Sequence, residues 1–387
     1  MTGVRIALFI GIAAGILFGL HYYVWARLVR DTALPPPWSG IATAALALMA
    51  VLLVAGMASS RALPRSVTSP LLWVGFTWMG LAFFVVVLLG SVDLVRVVIA
   101  GVRRVLDAGV ADPERRVFLG RLAGGAVSAI ALTLGGVGLA NVVRAVGVKR
   151  VRVPLARLPL DRAGYKIVQL SDVHVGPTIG RGFIEDLVTR TNALAPDLIA
   201  ITGDLVDGSV DELREHVAPL AKLRARDGVY FVTGNHEYYS GVDAWLAHLE
   251  TLGVRVLRNE HVSVAAGFDL AGVDDWTAHG FGGDHGADLP RALLGRDASR
   301  ALVLLAHQPK AIVEAAAMGV GLQLSGHTHG GQLFPFNYLV KLQQPYVAGL
   351  HTHGETKIYV SQGTGYWGPP MRVGTDAEIT LIELVAA

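Results

Sequence analysis

Seven side chains of metal-ligating type recur between residues 172 and 329, each just beyond a short apolar run. Asp172 and His174 follow Tyr165-Lys166-Ile167-Val168-Gln169-Leu170, and Asp204 follows the run 197–202. Asn235, with His236 and Glu237 behind it, follows Val229-Tyr230-Phe231-Val232-Thr233. His307 follows Leu302-Val303-Leu304-Leu305-Ala306, and His327 and His329 follow Leu322-Gln323-Leu324-Ser325. Residues two apart on an extended backbone project to the same side. Asp172 and His174 can therefore bring a carboxylate oxygen and an imidazole nitrogen to one point, the donor pair that a hard-to-borderline divalent metal takes. There is no cysteine, which excludes disulfides and thiolate zinc sites and leaves His, Asp, Glu and Asn as the ligands for any metal.

These residues need a framework that delivers them to one place. Each apolar run reads as a short buried strand, and helical patterns over 184–194, 213–223 and 245–252 alternate with the runs. Gly203, Gly234 and Gly326 stand at the strand ends, where a sharp turn and close backbone approach are needed. In open α/β folds, sites lie beyond the carboxyl ends of strands. Five such ends bearing Asp, His, Asn and His are placed to converge on one spot.

The set Asp172-Val173-His174, Gly203-Asp204, Gly234-Asn235-His236-Glu237, His307 and Gly326-His327-Thr328-His329 resembles the signature of calcineurin-like metallophosphoesterases, in order and in residue type. Gly330-Gly331-Gln332, and Gly363-Thr364-Gly365-Tyr366 through Met371-Arg372-Val373, look like the membrane-associated bacterial subgroup, which includes transmembrane proteins with a metallophosphoesterase domain. The resemblance implies a four-layer α/β/β/α sandwich and two divalent metal ions (Mn²⁺, Fe or Zn²⁺). The first would take Asp172, His174 and His329, the second Asn235, His307 and His327, with Asp204 bridging both. Such a pair activates water and clamps phosphoryl oxygens. His236 would stabilise the charge at phosphorus and protonate the leaving oxygen; its bland reading is an orienter of Asp172. The implied substrate is a phosphodiester or pyrophosphate, lipid-linked or a nucleotide sugar, in the manner of UDP-diacylglucosamine pyrophosphatases. The rivals are a membrane sensor or scaffold that binds phosphate ligands without turnover, and a transporter with a fused hydrolase.

Other polar residues read as structural. Glu237 is a loop or helix-start acid, His216 and His248 lie on helix surfaces, and His261, Asp274, Asp275, His279 and His285 lie in connections. His351-Thr352-His353 echoes the ligand pair but reads as a loop near the pocket. Arg372 is a candidate contact for a substrate phosphate.

The first 150 residues are of another kind. The chain is 52% hydrophobic and 17% charged over 387 residues, with a mean hydropathy of +0.48, the average of a membrane part and a soluble part. Apolar stretches over 4–25, 40–57, 71–99 and 122–143 approach or exceed the roughly 20 residues needed to cross a bilayer. We therefore expect a four-span transmembrane anchor over 1–150 and a metallophosphoesterase domain over 151–387. The net charge of only +2 makes no case for nucleic acid. Asp93 reads as an interfacial acid near Arg96, so the module reads as an anchor. Gly120, Gly124 and Ser128 put small residues on one helix face. The side opposite the domain collects Arg27, Arg30, Arg96 and the arginines of 103–121, against Arg5, Arg61, Arg65, Arg144, Lys149 and Arg150 on the domain's side. This balance, and Arg115-Arg116-Val117-Phe118-Leu119 ahead of the fourth stretch, which looks like a twin-arginine signal or an ordinary basic flank, point to a domain outside the cytoplasm.

Overall fold

The computed structural model describes residues 3–59, 63–106, 112–265 and 267–387; Arg61 of the expected turn lies outside them. The chain forms two compact units, Met1–Leu139 with Gly368–Met371, and Ala140–Trp367 with Arg372–Ala387.

The first unit is built of helices α1 (Gly3–Trp25), α2 (Trp38–Ser59), α3 (Arg65–Val105) and α4 (Pro113–Val143), all long and apolar enough to cross a membrane. α1 continues as a π-helical turn, Ala26–Arg30, before the Pro-rich connection. α3 is longer than the 71–99 stretch: its 41 residues extend about 60 Å, against about 30 Å of hydrocarbon. Arg115 and Arg116 lie in the first turn of α4, where Pro113 opens the helix. The small-residue face of α4 runs Gly120, Gly124, Val127, Ala131, Gly135, Gly138, and Ser128 is off its centre. A strict spacing of four drifts around a 3.6-residue helix, whereas alternating fours and threes holds one face. Asp93 accepts from Arg96 (3.2 Å), as expected, and also from Arg27 (2.9 Å) and Tyr23 (2.7 Å), so the helices carry a paired charge that the sequence did not disclose.

The second unit is an α/β domain. Its elements are β1 (Gly147–Leu155), β2 (Tyr165–Leu170), α5 (Arg181–Ala193), β3 (Leu198–Thr202), α6 (Val210–Val217), β4 (Val229–Val232), α7 (Asn235–Ser240), α8 (Val242–Thr251), β5 (Arg255–Val256), β6 (Glu260–Val264) and β7 (Phe268–Gly272). They continue as α9 (Leu289–Ala292), β8 (Ala301–Leu305), α10 (Ile312–Ala317), β9 (Leu322–Ser325), α11 (Asn337–Val340), β10 (Gly349–His353), β11 (Thr356–Val360) and β12 (Glu378–Ala386). The expected boundary at 150 falls inside β1. The helix expected over 213–223 breaks at Pro219, where a 3₁₀ turn, Ala218–Lys222, takes over. His351 and His353 lie on strand β10, not in a loop, and His351 stacks on Tyr346 with ring centroids 4.6 Å apart.

Two six-stranded mixed sheets, β1-β12-β2-β3-β4-β5 and β10-β11-β9-β8-β7-β6, face one another. Strand alternation sorts the core into three layers of side chains. Ile167, Leu198, Ala200, Phe268, Val303 and Leu322 fill the space between the sheets. Val168, Ile199 and Phe231 point outward against Ile184, Leu187, Leu213 and Trp245 of the helices on one side. Leu302, Leu304 and Ile358 point the other way, against Leu289, Ile312 and Ala315. The result is the α/β/β/α sandwich. β2, β3 and β4 run parallel in one sheet and β8 and β9 in the other. The buried Gln169 amide joins the sheets, donating to Thr202 Oγ1 and to the Ser325 carbonyl, both at 2.9 Å.

Candidate metal centre

The carboxyl ends of β2, β3, β4, β8 and β9 open into one cluster. Ligand-type atoms of Asp172, His174 and His329 lie within 4.8 Å of one another, and so do those of Asp204, His307 and His327. His174 Nε2 is 3.0 Å from His329 Nε2, and His329 Nε2 is 3.5 Å from Asp172 Oδ1. In the other group His307 Nε2 lies 3.0 Å from Asp204 Oδ2 and 3.2 Å from His327 Nδ1. Asp204 Oδ2 is also 4.0 Å from His174 Nε2, so this carboxylate stands between the groups. Asn235 opens α7, and its Oδ1 is buried without a hydrogen-bond partner.

The backbone is bent hard to achieve this. Asp172, His174, Asp204, His327 and His329 have φ between +50° and +71°, five of the ten non-glycine residues with positive φ among those described. Left-handed backbone costs such residues free energy and persists where the surroundings hold it. Two glycines show the crowding. A Cβ on Gly326 would collide with Ser171 Oγ and Asp172 Oδ2, and one on Gly234 with the Asp204 carboxylate. The Asp172 carboxylate instead accepts the His327 N–H at 2.8 and 3.0 Å.

Outer hydrogen bonds set which ring nitrogens face inward. His307 Nδ1 is 2.7 Å from the Thr202 carbonyl, which can only accept, so Nδ1 carries a proton and Nε2 is the nitrogen turned toward Asp204. His174 Nδ1 likewise donates to Asp207 Oδ1 at 3.0 Å. Burial, reinforced by His307, pushes His327 down to about 3, and burial with His174 and Arg372 holds His329 well below the usual range. Both rings are therefore neutral donors. Burial opposes charge on His307 and Asp204 alike, yet each stabilises the other: the histidine is raised well above its ordinary value and the carboxylate held well below. A divalent cation among these atoms would replace that balancing proton. A buried donor set of neutral imidazoles, two carboxylates and an unsatisfied amide oxygen fits such cations.

His236 borders both groups, its ring meeting that of His174 edge-on with centroids 4.7 Å apart, and with His174 and Asp207 it forms a third cluster of ligand-type atoms within 4.8 Å of one another. Its backbone N–H donates to Asp204 Oδ1 (2.9 Å) and its Nδ1 to Asp207 Oδ1 (2.6 Å). Burial works against the imidazolium, but Asp204 and Asp207 outweigh it and lift the pKa to about 9. The ring is thus oriented by Asp207, and Asp172 is oriented by the His327 amide, not by His236. Tyr239 and Trp367 meet the His236 ring edge-on at 5.5 and 5.7 Å.

Sequence reasoning missed Asp207, although it lies only three residues beyond Asp204 on the same loop. Burial disfavours its charge, but the contacts with His174 and then His236 outweigh burial and hold its carboxyl well below the usual range. Glu237 is fully buried and accepts the N–H groups of Leu205 (2.7 Å), Gly234 (2.7 Å) and Asp204 (3.0 Å), so it clasps the two loops. Arg372 is not offered to a substrate. It is fully buried and donates to the Gly365 carbonyl at 2.6 Å and the His329 carbonyl at 3.3 Å. Asp274 pairs with Arg258 (2.6 Å) and Asp275 accepts from Gln308 (3.0 Å), both structural.

A sequence-family model described as calcineurin-like phosphoesterase matches residues 165–331. The bovine "transmembrane protein with metallophosphoesterase domain" is 48% identical over 267 residues, which cover 65% of this chain and 60% of that protein. The "uncharacterized metallophosphoesterase YkuE" of Bacillus subtilis is 33% identical over 288 residues, covering 70% of this chain and 97% of that one. A solved dimetal phosphatase from Danio rerio is 13% identical, with a TM-score of 0.34, covering 52% of this chain and 88% of that chain. The match spans about three fifths of the length of the vertebrate transmembrane relatives.

Proposed function

Because the chain belongs to the calcineurin-like metallophosphoesterase family, we propose that it is a membrane-anchored, dinuclear-metal phosphoesterase. It cleaves a phosphodiester or pyrophosphate bond in a lipid-linked or nucleotide-sugar substrate. The anchor occupies 1–150 and the catalytic domain 151–387, on the extracytoplasmic side. Asp172, His174 and His329 would hold one cation, Asn235, His307 and His327 the other, and Asp204 would touch both; Mn²⁺, Fe and Zn²⁺ all suit these ligands. When bound, the pair would supply Lewis acidity to the phosphoryl oxygens and an acidified water.

The chain's own residues do the rest. Asp207 holds the proton on His236 Nδ1 and keeps the ring cationic, so the ring's other nitrogen has a proton to give. As the bond from phosphorus to the leaving oxygen breaks, its electron pair stays on that oxygen and takes this proton. The Trp367 and Tyr239 rings meet the His236 ring edge-on and offer an apolar surface to the leaving group. The observation that carries the reading is the position of Asp204, 3.0 Å from His307 and 4.0 Å from His174, where one carboxylate serves both donor groups. The test is turnover of bis-p-nitrophenyl phosphate by the full chain in detergent, with Mn²⁺, Zn²⁺ or Fe²⁺ and after chelation. We expect metal-dependent hydrolysis. Tight metal binding with no turnover under any of these ions would favour the phosphate-sensor reading instead.

A further inference from the structure

Just beyond the metal-centre loop, the α/β domain carries an apolar stretch that the chemistry above does not use. After His329 the chain runs through Gln332 into the segment 333–342, where Phe334, Tyr338, Leu339 and Leu342 are 53%, 58%, 56% and 82% exposed. The segment is held in shape. Phe334 N–H donates to the Val373 carbonyl at 2.9 Å, and the Phe334 and Tyr338 rings meet edge to face at 6.0 Å. The Lys341 ammonium lies 5.5 Å from the Tyr338 ring centre. At the base of the segment the Gln332 side chain takes both backbone polar groups of Trp367, donating to its carbonyl (2.8 Å) and accepting its backbone N–H (2.9 Å). Trp367 is 55% exposed and touches the His236 ring. Exposed apolar side chains thus flank the mouth of the site on the His329 loop and beside His236.

Several large apolar side chains held in water mark an interaction surface. Aromatic rings and leucines with a lysine among them are the composition of a segment lying in a bilayer interface, where rings sit at head-group depth and the lysine reaches outward. The chain itself supplies the bilayer. α4, long and apolar enough to span one, ends at Val143, and β1 begins at Gly147. The three residues between them extend about 10 Å at most, so the domain's first strand is tethered close to the end of that apolar helix.

We propose that the segment 334–342, together with Trp367, sits in the head-group layer of the bilayer that holds the helices, so that the site takes its phosphoester from a lipid in that surface. This deepens the phosphoesterase reading and rests on it for the substrate; the lipid contact stands on geometry alone.

The chain lacks cysteine, which permits single-site labelling. Leu342→Cys, and as control Leu294→Cys, 81% exposed and far along the sequence from the segment, are labelled with an environment-sensitive dye in the full chain. The protein is reconstituted in phosphatidylcholine–phosphatidylglycerol vesicles with and without a spin-labelled quencher lipid. At 342 we expect blue-shifted emission and several-fold stronger lipid quenching than at 294. Equal quenching at the two sites overturns the proposal. So does a shift that grows with protein-to-lipid ratio without lipid quenching, which is contact between copies. In a second arm, the double variant L339S/L342S is assayed on soluble bis-p-nitrophenyl phosphate and on the p-nitrophenyl ester of phosphatidic acid in the same vesicles. KM for the lipid ester should rise roughly tenfold while turnover of the soluble ester holds. No selective change, whether both are retained or both lost, overturns presentation from the surface. If the wild type cleaves neither ester, the phosphoesterase reading falls and the quenching arm still decides the lipid contact.

Discussion

Replacing Asp207 by asparagine removes one negative charge while keeping the shape of a side chain that accepts from two imidazoles, at 2.6 Å from His236 and 3.0 Å from His174. A hydrogen bond to a charged group is worth about 1.5–3 kcal/mol, and one pKa unit is about 1.4 kcal/mol. The His236 pKa, held at about 9 by Asp204 and Asp207 against burial, should therefore fall by about 1–2 units. The sign follows from the role. The imidazolium is the competent acid, so activity is present below this pKa and is lost as pH rises through it. In Asp207→Asn the alkaline limb of the kcat profile moves to lower pH. Above it, kcat for a substrate with an alkoxide leaving group drops roughly 10- to 100-fold. A p-nitrophenoxide leaves without a proton and should lose far less. Since Asp207 also orients His174, metal affinity should weaken roughly 10- to 100-fold, so the profile is measured at saturating metal. An unmoved alkaline limb, with the same ratio of rates for alkoxide and p-nitrophenoxide substrates, refutes the assignment of His236 and Asp207.

Three further outcomes follow from the same geometry. Asp204→Asn should lower bound metal at both positions and abolish turnover, whereas His236→Ala should keep metal and lose most turnover on alkoxide esters; metal analysis of both proteins checks this, and equal metal loss contradicts the separate roles. Glu237→Gln replaces one acceptor oxygen by an NH₂ group and leaves at least one of three buried N–H groups unpaired, which should cost about 1–3 kcal/mol, read as a lower melting temperature. A C-terminal fusion to a reporter that folds only outside the cytoplasm should be active, and activity of a cytoplasm-only reporter instead would reverse the proposed orientation.

What could be read from the chain alone was local. A buried strand announces itself by a short apolar run, and a strand end by Gly followed by a polar group, so β2, β3, β4, β8 and β9 and the residues beyond them were legible without coordinates. The four apolar stretches were legible for the same reason, since bilayer thickness sets a minimum length of apolar chain. Boundaries were less so: Pro219 divides one expected helix and α3 outruns its apolar core, because hydrogen bonding continues where polarity changes.

Tertiary structure alone decided which groups act through others. Asp207 serves two histidines 33 and 29 residues away, and no pattern within its own loop declares those partners. Arg372 looked like a phosphate ligand because a cation in a Gly-rich loop is available until packing engages it; here the Gly365 and His329 carbonyls do so. Residue type determines what a side chain is able to bind, and that much is written in the sequence. Which partner it meets depends on segments distant in the chain arriving at one point, and only the packing of the two sheets brings them there.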